Sequence, residues 1–166
     1  MASLVERLLK STTIKETATL EKSIFFKKKD LVQTSIPILN LAQSGELDGG
    51  FGSGLTIWAG PSKHFKTSLM LANIKAYLDK YPEAICLFYD SEFGTPQSYF
   101  ESFGIPLNRI VHTPITDIGV LKFDLIAQLE EIARTDRVFI AVDSVGNLAS
   151  KKELEDAKDG KSVTDM

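Results

Sequence analysis

An α/β fold, with a mostly parallel sheet flanked by helices, is predicted by two features of the sequence. Short apolar runs of strand length alternate with segments that are apolar at helical spacing, from Leu55 through to Val142. Strands separated by helices of that length form βαβ units and therefore a parallel sheet. In addition, the stretch LTIWAGPSKHFKTSLM at 55–70 reads as an apolar strand, a tight Gly-Pro-Ser turn, and a helix opened by Lys66-Thr67. Ligands of such sheets bind beyond the C-terminal ends of the strands, so the residues there are the candidates for chemistry.

The elements follow in order. Leu4, Val5, Leu8 and Leu9 share one face of a short N-terminal helix, with Glu6, Arg7 and Lys10 on the other. So short a helix needs a surface to dock on, either its own domain or a neighbouring subunit, with the polar run 11–19 as its linker. Ile24, Phe25 and Phe26 followed by Lys27, Lys28 and Lys29 join an apolar anchor to a basic cluster, either a solvated turn or a phosphate contact. The segment 36–42 leads into the most Gly-rich part of the chain, 44–54, and a boundary is placed here: an extension over 1–43 and a core over 44–166.

Within the core, a strand is predicted over Leu55–Ala59 and a helix over Ser68–Lys80, closed by Tyr81-Pro82. A strand over Ala84–Tyr89 ends at Asp90-Ser91-Glu92, and a short helix over Pro96–Phe103 is stopped by Gly104. Arg109–Thr113 is a strand. Asp117 then caps a longer helix whose buried face is expected to be Ile118, Leu121, Leu125, Leu129 and Ile132. The apolar strand Val138–Val142 ends at Asp143-Ser144, and a charged, helix-like stretch begins at Lys151.

Composition bounds the function. A net charge of −3 gives no global attraction to nucleic acid, so DNA contacts would have to come from local basic patches such as 27–29 or Lys151-Lys152. Cys86, the single cysteine, lies in an apolar run and reads as a buried small hydrophobe of a reducing compartment. With no apolar stretch of membrane-spanning length and no signal segment, the chain is expected to be cytoplasmic, with no membrane partner.

The chemistry concentrates in 60–67. The pattern G-x-x-x-x-G-K-[ST] cradles phosphates with inward-pointing backbone N–H groups at the positive end of a helix dipole. Gly60, Lys66 and Thr67 are in register with it, while Phe65 stands where the second Gly would be. In this pattern Lys66 reaches the β- and γ-phosphates of ATP and the Thr67 hydroxyl ligates Mg²⁺. Asp143 follows four apolar residues, as the carboxylate that joins the hydroxyl on Mg²⁺ does, and Glu92 or its neighbour Asp90 supplies a second carboxylate for the attacking water. His64 and His112 lack partners for a metal site.

The segments IPILNLAQSGEL, LTIWAGPSKHFKTSL, AICLFYDSEFGTPQSYFESFGI, RIVHTPI and VDSVGNLASKKELEDA closely resemble the DNA strand-exchange recombinases of T-even-type bacteriophages, within the RecA/Rad51 class. The resemblance covers nearly the whole chain and includes Phe65. It implies a RecA-type P-loop NTPase core behind a small N-terminal helical extension. Gly60, Pro61, Ser62, Lys63, His64, Phe65, Lys66 and Thr67 become the Walker A loop, Asp143 the Walker B end, and Glu92 the catalytic glutamate. Tyr99 falls where the class places a tyrosine against adenine, although a tyrosine packed within its helix reads equally from the residues.

The implied activity is DNA-stimulated ATP hydrolysis coupled to homologous pairing and strand exchange. Its implied partners are single-stranded DNA, homologous duplex DNA, further copies of itself in a filament, and single-strand-binding and mediator proteins. In the class, a later strand lies between the Walker A and Walker B strands and two mobile loops hold DNA. The sequence ends at Met166 before these, so the core is expected to be truncated. Competing readings are a non-catalytic nucleotide-binding or filament-docking module and a helicase on the same core.

Overall fold

The computed structural model describes residues 3–23 and 30–158; the apolar-basic run 24–29 and the end of the charged stretch, 159–166, lie outside the described residues. Three strands, β1 (Ile85–Asp90), β2 (Ile110–Pro114) and β3 (Val138–Asp143), form a parallel sheet in the order β2-β1-β3. Helices α3 (Lys66–Lys80) and α4 (Gln97–Ser102) cover one face and α5 (Ile118–Glu131) the other, giving the predicted α/β architecture.

Alternation along β1 explains the two layers, because successive side chains point to opposite faces of a strand. Cys86 and Phe88 pack with Leu71, Ile74 and Leu78 of α3 and Phe100 of α4. Leu87 and Tyr89 pack with Ile115 and Leu121, and Ile118, Leu125 and Ile132 lie against them. Leu129, expected on that buried face, is instead 53% exposed, lying in the last turn of α5 outside the cluster that Ile118, Leu125 and Ile132 join. β1, the central strand, is paired on both edges, with Asp90 level with Pro114 of β2 and with Asp143 of β3. That register brings the carboxylate ends of β1 and β3 together.

Arg109 holds the turn between α3 and β1. Its guanidinium donates to the carbonyls of Leu78 at 3.1 Å, Tyr81 at 2.6 Å and Ala84 at 2.7 Å, satisfying oxygens that a helix end leaves unpaired. The N-terminal part joins the core through an isolated antiparallel bridge between Val32 and Phe51. Asp30 accepts hydrogen bonds from Lys80 and Tyr81, fastening the same segment to the end of α3.

One strand expectation is corrected. Leu55–Ala59 forms no strand: no described segment pairs with it, and Leu55 is 86% and Ile57 73% exposed. An extended run becomes a strand only where a neighbour takes its N–H and C=O groups. The Gly-rich lead-in is preceded by a helix, α2 (Pro37–Ser44), started by Pro37 in its first turn and stopped by Gly45 at φ +81°. The N-terminal helix forms as α1 (Leu4–Ser11), closed by a capping box in which Ser3 and Glu6 bond each other's backbone N–H. The charged stretch opens as α6 (Lys151–Lys158) with the same device between Ser150 and Glu153. No described helix is long and apolar enough to cross a membrane.

Candidate functional site

The loop 60–65 enters α3 with its backbone turned sharply. Lys63 and Phe65 both adopt positive φ, 65° and 58°, and Phe65 occupies the N-cap position of α3. A left-handed conformation costs a side-chain-bearing residue about 1–2 kcal/mol, which is why glycine is usual there. Phe65 takes the backbone shape that a glycine would supply, with its ring 75% exposed. No side chain caps the helix, so its first N–H groups face the loop without a competing partner from the cap position. A Cβ built on Gly60 would meet no atom within 4 Å, and its φ lies outside the left-handed region. The fold itself therefore does not require glycine at 60.

Side chains close over the loop. Lys66 donates from Nζ to the Pro61 carbonyl at 3.0 Å, placing its charge across the loop, and His64 bonds the Ser62 carbonyl through Nδ1 at 2.8 Å. The Thr67 hydroxyl donates to Oδ2 of Asp143 at 2.7 Å, joining the start of α3 to the end of β3. Asp143 is 6% exposed, and its pKa is raised by burial and by the nearby charges of Glu92 and Asp90, against the lowering pull of Thr67 and Lys66. Among the described residues no group of three His, Cys, Asp or Glu side chains is arranged to hold a metal by itself.

The strand ends are tied to each other. Ser91 and Glu92 donate their N–H groups to the Asp143 carbonyl at 2.8 and 3.3 Å. Ser91 Oγ donates to the Ser144 carbonyl at 2.6 Å and accepts from Ser144 N–H at 2.9 Å, beside the cis peptide between Asp143 and Ser144. Glu92 is exposed at this rim. Asp90, the other acid, is 3% exposed and spends Oδ1 on the N–H groups of Glu92 at 3.0 Å and Phe93 at 2.7 Å. His112 reaches its Oδ2 from β2 at 3.3 Å. This pairing was not legible from the sequence, where His112 reads as a strand-end residue without partners for a metal site; the parallel register sets His112 level with Phe88, two residues before Asp90 on the same face of β1.

Tyr99 on α4 shares a hydrogen bond between its hydroxyl and that of Ser68, one residue beyond Thr67, and its ring meets Phe103 edge-on at 5.6 Å. The structure thus brings Lys66, Thr67, Asp143 and Glu92 to one end of the sheet and packs Tyr99 half-buried behind the start of α3.

Comparison with known proteins gives one informative similarity. Across all 166 of its residues the chain is 49% identical to the "Recombination and repair protein" of Enterobacteria phage T4. It spans 42% of that protein's length. No protein-family model matches the chain.

Proposed function

We propose that the chain carries the ATP site of a phage recombination and repair protein, a DNA strand-exchange recombinase of the RecA/Rad51 class. The observation that carries this reading is the 2.7 Å bond from Thr67 to Asp143, which joins the phosphate-loop helix to an acid at the C-terminal end of a parallel strand. The similarity to the phage T4 recombination and repair protein supports the same reading at the level of process. Filament assembly on single-stranded DNA and pairing with homologous duplex follow from the class and belong to the proposal.

In this account the backbone of 60–65 and the uncapped N-terminus of α3 receive the phosphates, and Lys66 neutralises charge on the β- and γ-groups. Thr67 and Asp143 offer a hydroxyl and a carboxylate, hard oxygen donors suited to Mg²⁺, whose remaining ligands are ordinarily waters and phosphate oxygens. When bound there, the ion would supply charge neutralisation at the phosphates. Glu92, exposed at the same rim, orients a water and accepts its proton as the water oxygen bonds to the γ-phosphorus; the bond from that phosphorus to the bridging oxygen breaks, and ADP leaves. Tyr99, which the class places against adenine, bonds Ser68 at the start of α3, and in this account its ring meets the base.

ATP hydrolysis measured with and without single-stranded DNA, beside Lys66→Ala and Glu92→Gln, tests the reading. Turnover that rises with DNA, is lost in Lys66→Ala and falls by about 100-fold to a still measurable rate in Glu92→Gln is expected. Turnover unchanged by Lys66→Ala overturns it.

A second reading draws on α1, where Leu4, Val5 and Leu8 are 61%, 50% and 60% exposed on one face. In that reading the chain docks through α1 on other protomers of a filament, without contributing chemistry. Added to an active recombinase, such a module shortens filaments and adds no ATPase.

A further inference from the structure

We propose that Asp90 is a positioning residue for Glu92 and that His112 holds Asp90 in that role. The inference rests on the reading of Glu92 as the residue that orients the attacking water, and it deepens that reading.

Asp90 ends the central strand and is almost wholly buried, and both of its carboxylate oxygens have partners outside the phosphate loop. Oδ1 accepts from the N–H groups of both Glu92 and Phe93, at 3.0 and 2.7 Å, the arrangement by which an Asp side chain fixes a turn two and three residues ahead. Phe93 sits at φ +54° inside that turn, a conformation that needs local hydrogen bonds to persist in a residue with a side chain. No hydrogen bond among the described residues engages the carboxylate of Glu92 itself. Its direction is therefore set through its backbone, by Asp90 and by the Asp143 carbonyl.

The far oxygen of Asp90 is met by Nε2 of His112 at 3.3 Å. The imidazole is stacked on Phe88 at 5.9 Å between centroids, and Phe88 is in turn fixed edge-on by Phe100 at 5.1 Å. The ring is thus oriented by the core while its edge stays half-exposed, and it supplies the partner that a buried carboxylate oxygen needs. A chain of contacts runs from α4 through Phe88 and His112 to Asp90, and from there to the peptide groups on either side of the Glu92 Cα. Neither Asp90 nor His112 hydrogen-bonds any residue of the loop 60–67. Their influence is expected in turnover and not in nucleotide affinity.

Two measurements on the full 166-residue chain test this. The first is amide hydrogen exchange in His112→Ala, a variant at a half-exposed ring that leaves the buried strand intact. Exchange at the Glu92 and Phe93 amides is expected to quicken by about tenfold or more, the scale of one lost hydrogen bond, with the amides of α3 unchanged. Unchanged exchange at Glu92 and Phe93 overturns the proposal.

The second is a double-mutant cycle in ATP turnover. His112→Ala is expected to lower kcat by about tenfold with KM held within about twofold, and His112→Gln, which keeps an N–H donor, to recover most of the loss. Combined with Glu92→Gln, His112→Ala should cost nothing further, because both act through one group. An equal loss in both backgrounds marks a general structural role and overturns the proposal. A Glu92→Gln chain that turns over normally instead overturns the role of Glu92 itself, and the exchange result distinguishes that failure from a failure of the Asp90–His112 contact.

Discussion

Thr67 donates its hydroxyl hydrogen to Asp143 at 2.7 Å, linking the N-terminus of α3 to the C-terminal end of β3 across 76 positions of sequence. Asp143 is buried and its ionised form is disfavoured by that burial, so the Thr67 hydroxyl is a needed partner. Thr67→Ala is expected to destabilise the fold by about 1–2 kcal/mol, as loss of a hydrogen bond to a buried carboxylate does. Thermal unfolding of the two chains checks this. Addition of Mg²⁺ with ATP should raise the midpoint of the wild-type chain and do so much less in the variant.

Gly60 and Phe65 make an opposed pair. Nothing surrounds a Cβ at Gly60, so Gly60→Ala should leave the unfolding midpoint unchanged while weakening ATP binding, since the methyl group occupies space on the ligand side. At Phe65 the ring is exposed and the backbone left-handed, so Phe65→Gly relieves strain at little packing cost. After the greater backbone freedom of glycine in the unfolded chain is subtracted, a net gain of up to about 1 kcal/mol is expected. A calorimetric scan of both variants, with an ATP titration of each, separates the two effects.

Cys86 lies in the sheet with no exposed surface, and burial pushes its thiol up to about 12. Thiol reagents at neutral pH should leave the folded chain unmodified and label it fully once denaturant is added. The sign for stability follows from linkage. The folded thiol holds its proton where the unfolded one has lost it, so its contribution is intact below about pH 8.5 and declines as pH rises toward about 12. Cys86→Ala should flatten that alkaline decline in denaturant melts across the range.

The legibility of the chain followed the reach of its local signals. α3, β1, α4, β2, α5 and β3 were readable because each buries a face, and burial imposes the period-two or helical pattern. Leu55–Ala59 misled because an apolar run between glycines has strand character only when a neighbour pairs with it, and pairing is not a local property. α2 was signposted by Pro37 and Gly45, but Ile38 and Leu41 face outward and blur its periodicity. Lys66, Thr67, Asp143 and Glu92 were found as residues following apolar runs. That Asp90 meets His112 depends on the β1–β2 register, which no spacing in the sequence encodes.

The central claim is that loop 60–67 binds a nucleotide through Lys66, and a titration of the chain with a fluorescent ATP analogue, with and without Mg²⁺, addresses it most directly. Saturable, Mg²⁺-dependent binding that weakens by about tenfold or more in Lys66→Ala is predicted, the scale of one lost charge-assisted contact. Absence of binding by the folded wild-type chain, or equal binding by the variant, would contradict it.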